Sequence, residues 1–168
     1  MKISEKAYGN RAASICYTVI TLFLAVAYVV EFVKGARTIG YLLIMLALCL
    51  VPSALCWIFY KKNSETKAVM YAMGIGFSIL YAFAVLTTTS TFAYTYIFPM
   101  MIAVTLFSNV KYSVIMCIVS VVINAADIIY RLLADKMAVA LSDIEIRVAG
   151  VVVGGGFLLV NTVSLKKT

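Results

Sequence analysis

Apolar residues run along this chain in long unbroken blocks, without the alternation of a strand or the one-sided stripe of a soluble helix. The first block covers residues 14–32, behind the polar leader MKISEKAYGNR. A cleavable signal peptide would turn polar after Ala25-Val-Ala27, but the run continues through Tyr28, Val29 and Val30. The second block, 41–60, follows the turn at 34–38 and carries Pro52 in its middle, where a kink is expected. Residues 61–67 form a basic loop, and residues 68–108 then carry no charge at all. As one helix that stretch would measure about 60 Å, twice the hydrocarbon thickness, so it must fold back. The cluster Thr87-Thr-Thr-Ser-Thr91 is the natural hinge. It gives a third block at 68–86 and a fourth at 92–108, the latter kinked near Pro99. The fifth runs over 112–134, and the sixth over 146–165 after a polar loop from Asp135 to about Glu145.

Composition fixes the environment of these blocks. The chain has 168 residues, 64% of them apolar and 12% charged, with a mean hydropathy of +1.06. Soluble domains are closer to half apolar and a quarter charged, whereas six crossings of about 20 residues fit this length. The expectation is an all-α integral membrane protein of the cell membrane, a six-transmembrane-helix bundle forming one domain over 1–168. Soluble enzymes, disordered tails and disulfide scaffolds are excluded.

The net charge of +7 does not point to nucleic acid, because the basic residues punctuate the apolar runs instead of clustering. They do set an orientation. With six crossings one side holds Lys2, Lys6, Arg11, Lys61, Lys62, Lys67, Lys111, Lys166 and Lys167, and the other Lys34, Arg37, Arg131, Lys136 and Arg147. Both termini are therefore expected in the cytoplasm. Trp57, Phe59 and Tyr60 beside Lys61, and Tyr112 beside Lys111, agree as interfacial aromatics.

The chain has no histidine, which excludes histidine-ligated haem or zinc and Ser-His-Asp catalysis. Cys16, Cys49, Cys56 and Cys117 lie in apolar runs without paired spacing and read as small apolar residues. No metalloprotease motif or phosphate loop occurs, and Gly154-Gly-Gly156 lacks the strand a nucleotide fingerprint needs. No enzymatic activity, metal or cofactor is expected.

Candidate chemistry is confined to polar groups inside the apolar blocks, each of which must be paired or face a cavity. Ser120, Asn124, Asp127 and Arg131 step by four, three and four, and so share one helix face. Asp127 precedes Arg131 in the favourable order for an ion pair. Glu31, Tyr81 and Tyr94 fall at a similar depth toward the outer side. Together these residues could line a pocket for a small polar or zwitterionic ligand, with Arg131 holding a carboxylate and the acids an amine. The bland alternative pairs Asp127 with Arg131 and Glu31 with Lys34. In the sixth block Gly150 and Gly154, four apart, with Asn161 beyond them, fit close helix packing, within the bundle or as a homodimer seam. Ala72, Gly74 and Gly76 form another small-residue set.

Several stretches resemble the multi-span N-terminal transmembrane sensory region of clostridial methyl-accepting chemotaxis proteins. They are Glu31-Phe-Val-Lys-Gly-Ala-Arg37 with Tyr41, Val51-Pro52, Tyr60-Lys-Lys62 through Lys67, Gly76, Ile79-Leu-Tyr81, Phe83, Tyr96 and Pro99-Met100. The resemblance covers about residues 10–125. It implies a membrane-embedded input module that begins a longer chain, with a cytoplasmic signalling domain in cis, a dimeric state and a small ligand or membrane property as stimulus. Two alternatives stay open from the residues alone. One is a six-helix substrate-binding subunit of a vitamin-type importer, although the first block lacks the A-x-x-x-A spacing of such subunits. The other is an ion- or proton-coupled carrier built on Glu31 and Asp127.

Overall fold

A computed structural model describes residues 4–88, 90–133 and 141–167, with backbone alone for Thr91, 141–143, Lys166 and Lys167. Lys2 and Lys136, and the side chains of Lys166 and Lys167, which enter the charge asymmetry, lie outside the described residues. All regular structure among the described residues is helical: α1 (Glu5–Val33), α2 (Ile39–Lys62), α3 (Ala68–Thr87), a 3-10 turn at Thr91–Tyr96, α4 (Ile97–Thr105), α5 (Val110–Leu133) and α6 (Leu141–Lys167). Five of the six α-helices are long and apolar enough to cross a membrane. The chain divides into two compact units, 1–80 and 81–168.

In the first unit, α1 starts at Glu5, nine residues before the apolar block at 14. Its polar leader continues the helix and ties down the loop after α2. Ser4 caps the helix and donates to Glu65 Oε1 at 2.6 Å, while the buried Asn10 amide donates to the carbonyls of Ser64 and Thr66 at 2.8 and 2.9 Å. At the other end Gly35, at φ +73, takes the left-handed position that closes α1. The bonds from Gly35 N to Phe32 O and Ala36 N to Glu31 O complete a Schellman cap.

Helix α2 runs through Pro52, and a glycine on α3 meets it there. A Cβ at Gly76 would overlap the Pro52 ring, so only glycine permits this close approach. Beside it, Thr21 and Ser53 share a buried hydroxyl contact at 2.8 Å, and Trp57 Nε1 donates to Thr18 Oγ1 at 2.9 Å. Cys49 and Cys56 are buried free thiols; Cys16 is half-buried.

In the second unit the fourth block departs from expectation. Instead of one helix over 92–108, six residues form a 3-10 turn and nine form α4. Pro99 lies in the first turn of α4 and so starts the α-helix instead of kinking it, because first-turn N–H groups have no intrahelical acceptor to lose. Ser90 caps the 3-10 turn, and Ser108, at φ 47, turns the chain toward α5, where Asn109 Oδ1 accepts from Tyr112 N.

Helix α5 has inverted polarity. Its buried face carries Tyr112, Ser113, Met116, Ser120, Asn124, Asp127 and Arg131, whereas Ile115, Ile118, Val122, Ile129 and Leu132 are exposed. Apolar side chains outward and polar ones inward is the arrangement a lipid solvent favours. Helix α6 packs antiparallel to α5: Ser113 and Thr162 share a hydroxyl contact at 3.0 Å, and the Cys117 thiol lies 3.6 Å from the Gly155 carbonyl. The described helix starts at Leu141, so part of the expected polar loop is helical and the rest, 135–140, lies outside the described residues.

The glycine face of α6 is occupied within the chain. A Cβ at Gly150 would lie 3.3 Å from the Tyr94 ring, and one at Gly154 would lie 2.9 Å from Phe98 and 3.1 Å from the Met101 sulfur. Aromatic side chains of the same unit thus fill the groove beside Gly150 and Gly154, the close packing within the bundle that their spacing allows. Gly156, by contrast, faces open space. Asn161 lines a partly open apolar cavity of about 150 Å³ with Phe98, Met101, Thr105 and Phe157.

Candidate functional site: a buried ion cluster on α5 and α6

The second unit concentrates its polar side chains at one level. Asp127 is fully buried, and its Oδ2 accepts from two guanidinium groups: Arg131 Nε at 2.8 Å, one turn along α5, and Arg147 Nη1 at 2.6 Å, from α6. Arg147 Nε donates to Asn124 Oδ1 at 2.8 Å. The Asn124 amide in turn donates to the Ser120 carbonyl at 2.8 Å and to the Tyr81 hydroxyl at 2.9 Å. Tyr81, fully buried on α3, donates its own hydroxyl hydrogen bond to the Tyr94 carbonyl at 3.1 Å. The Tyr94 ring lies 5.9 Å from the Arg147 guanidinium, within reach of a cation–π contact.

Each member is placed by a local reason. The four-three-four spacing on α5 points Ser120, Asn124, Asp127 and Arg131 to one side. The remaining reach of Arg131 goes to the end of α3, where Nη2 donates to Val85 O at 3.2 Å and Thr88 O at 2.8 Å. A cation there also complements the negative end of the helix dipole. Within the chain, Asp127 and these two carbonyls engage the Arg131 guanidinium, which the sequence offered as the holder of a ligand carboxylate.

Five candidates from the sequence, Tyr81, Tyr94, Asn124, Asp127 and Arg131, are brought together. Glu31 belongs to the first unit, where it pairs with Arg37 at 3.2 Å and not with Lys34; Arg37 also stacks 4.5 Å from the Tyr41 ring.

Sequence reasoning missed Arg147, which it counted as a loop charge. The residue is nine-tenths buried. The signal that could have found it is hairpin symmetry. The pairs 113 with 162, 117 with 155, 124 with 147 and 127 with 147 all have midpoints between positions 135 and 138. An antiparallel pairing of α5 with α6 in that register sets position 147 opposite the turn of α5 that carries Asn124 and Asp127.

Two ionised atoms stay unsatisfied in this well-bonded cluster: Asp127 Oδ1 and Arg147 Nη2 are buried without hydrogen-bond partners. Among the described residues no group of His, Cys, Asp and Glu could hold a metal ion. Comparison with protein-family models, with curated proteins and with solved structures finds no match for this chain. The chain is a multi-span helical membrane protein whose second unit carries a buried Arg–Asp–Arg cluster.

Proposed function

We propose that the chain is the membrane-embedded input module of a bacterial signalling receptor of chemotaxis type, with both termini in the cytoplasm and the ion cluster toward the outer leaflet. The observation that carries this reading is that Arg147 of α6 is held on α5 by a buried charge contact to Asp127 beside its bond to Asn124. A stimulus that engages Arg147 or Asp127 changes how firmly that end of α6 is held on α5, while the Ser113–Thr162 contact holds the helix at the other end. Tilting about that contact would carry the change along α6 toward a cytoplasmic output. Such a device needs a stimulus that binds the two states unequally, and a half-satisfied ion pair supplies the difference.

The resemblance of residues 10–125 to chemotaxis input regions supports the same reading. The orientation is supported by charge. Arg131 and Arg147 are buried partners of Asp127, so only three of the five outer-side cations remain as loop charges, against nine on the inner side. The test joins the chain in helical phase through α6 to a coiled-coil output that controls a kinase. Arg147→Ala and Asp127→Asn are expected to shift basal kinase activity by about threefold or more, from the loss of a buried charge contact. Wild-type output from both variants, with normal membrane levels, would overturn the proposal.

A further inference from the structure

The geometry points to a ligand class: we infer that Asp127 and Arg147 form one wall of a site for a small carboxylate that bears a hydrogen-bond donor on the adjacent carbon. This deepens, and rests on, the reading of the cluster as an input site. The first argument is charge. Two guanidinium groups share one carboxylate, and all three are at least nine-tenths buried as residues. The cluster therefore carries one excess positive charge in a medium that penalises it, which an anion relieves.

The second argument is the count of bonds. Arg147 spends Nε on Asn124 and Nη1 on Asp127, and its Nη2 is buried without a partner. Asp127 spends Oδ2 on both arginines, and its Oδ1 is buried without one. Guanidinium and carboxylate usually meet fork to fork through two parallel bonds. Here they meet through one prong each, so a free donor and a free acceptor flank the same Nη1–Oδ2 contact. A partner that accepts from Nη2 and donates to Oδ1 completes both; a single water can do so but leaves the excess charge in place.

The chemistry then selects. A halide or plain carboxylate satisfies Nη2 and neglects Oδ1. An amine satisfies Oδ1 but adds positive charge to a positive cluster. A carboxylate with a neighbouring hydroxyl or ammonium group meets both atoms. Hydroxycarboxylates also neutralise the excess charge, which ranks them above amino acids.

The test uses the full chain in lipid nanodiscs and equilibrium binding of radiolabelled glycolate and glycine, with acetate, methylamine and chloride as competitors. Saturable binding of glycolate, glycine or both is expected, with each competitor weaker by about tenfold or more and Arg147→Lys weakening binding by a similar factor. Tighter glycolate assigns the hydroxyl class, and tighter glycine the ammonium class. No saturable binding to the wild type, acetate equal to glycolate and glycine, or undiminished binding to a folded Arg147→Lys chain would each overturn the inference. If that variant does not fold, the infrared carboxylate stretch of bound 13C-labelled ligand decides: a band shifted from its aqueous position supports guanidinium contact, and an unshifted one refutes it. The assay contains no output domain. Absent binding with output still sensitive to Arg147→Ala sinks the ligand class alone, and tight binding with insensitive output sinks the receptor reading alone.

Discussion

At the scale of single residues, Asp127 is the pivot, because its one oxygen serves both arginines. Replacing it with alanine leaves two buried guanidinium groups without their carboxylate, whereas Arg147→Ala leaves Asp127 still paired with Arg131. Breaking a buried pair from one side destabilises by about 3–5 kcal/mol. Asp127→Ala should reach that range and Arg147→Ala should fall below it, read as the order of melting temperatures in detergent. The reverse order would mean that Arg131 does not hold Asp127. All of this cluster but Arg147 was named from the sequence, and the spacing of Ser120, Asn124, Asp127 and Arg131 prescribes their shared face whatever surrounds it. Arg147 was missed because positive charges near the end of an apolar run are ordinarily counted as loop. Only pairing α5 with α6 residue by residue reveals its partner.

Among elements, hydropathy located all six blocks but mistook how two of them are built. An apolar pattern cannot distinguish a 3-10 turn from an α-helix, so the fourth block reads as continuous although its first six residues are wound more tightly. Nor does a polar leader announce that it will continue a helix, as Ser4 to Asn10 do by bonding to the loop at 64–66. The small residues of α3 were visible as a packing face, and Gly76 shows what they do, admitting the Pro52 ring where α2 meets α3. Gly76→Ala should destabilise the chain by about 1–3 kcal/mol, the usual range for forcing a methyl into a packed contact. Gly40→Ala, with nothing within 4 Å of the added carbon, should be neutral or stabilising within about 1 kcal/mol. Thermal unfolding of the two variants beside the wild type checks the contrast. Equal effects would mean that the Pro52 contact yields without strain.

For the whole molecule, the question is how many times the chain crosses. Five helices are long enough without help. The 3-10 turn and α4 together extend about 25 Å, from rises of about 2.0 and 1.5 Å per residue, against about 30 Å of hydrocarbon. The tighter winding thus lengthens a segment too short to cross as α-helix alone. If it crosses, both termini lie on one side, and reporters active only in the cytoplasm should work at either end of the chain. Activity at the N-terminus alone would show that the fourth segment re-enters without crossing.

The inverted polarity of α5 also bears on how the protein is made. Aspartate and arginine each oppose insertion by about 2.5–3.5 kcal/mol at mid-membrane, less toward the rim, while each valine or isoleucine returns only about 0.3–0.6. Emerging from the ribosome before Arg147, α5 carries Asp127 paired with Arg131 alone and Asn124 without the α6 guanidinium that later meets it. The pair within α5 therefore lowers the cost of its own insertion, and the second guanidinium joins only once α6 lies alongside, so the cluster closes as the two helices come together.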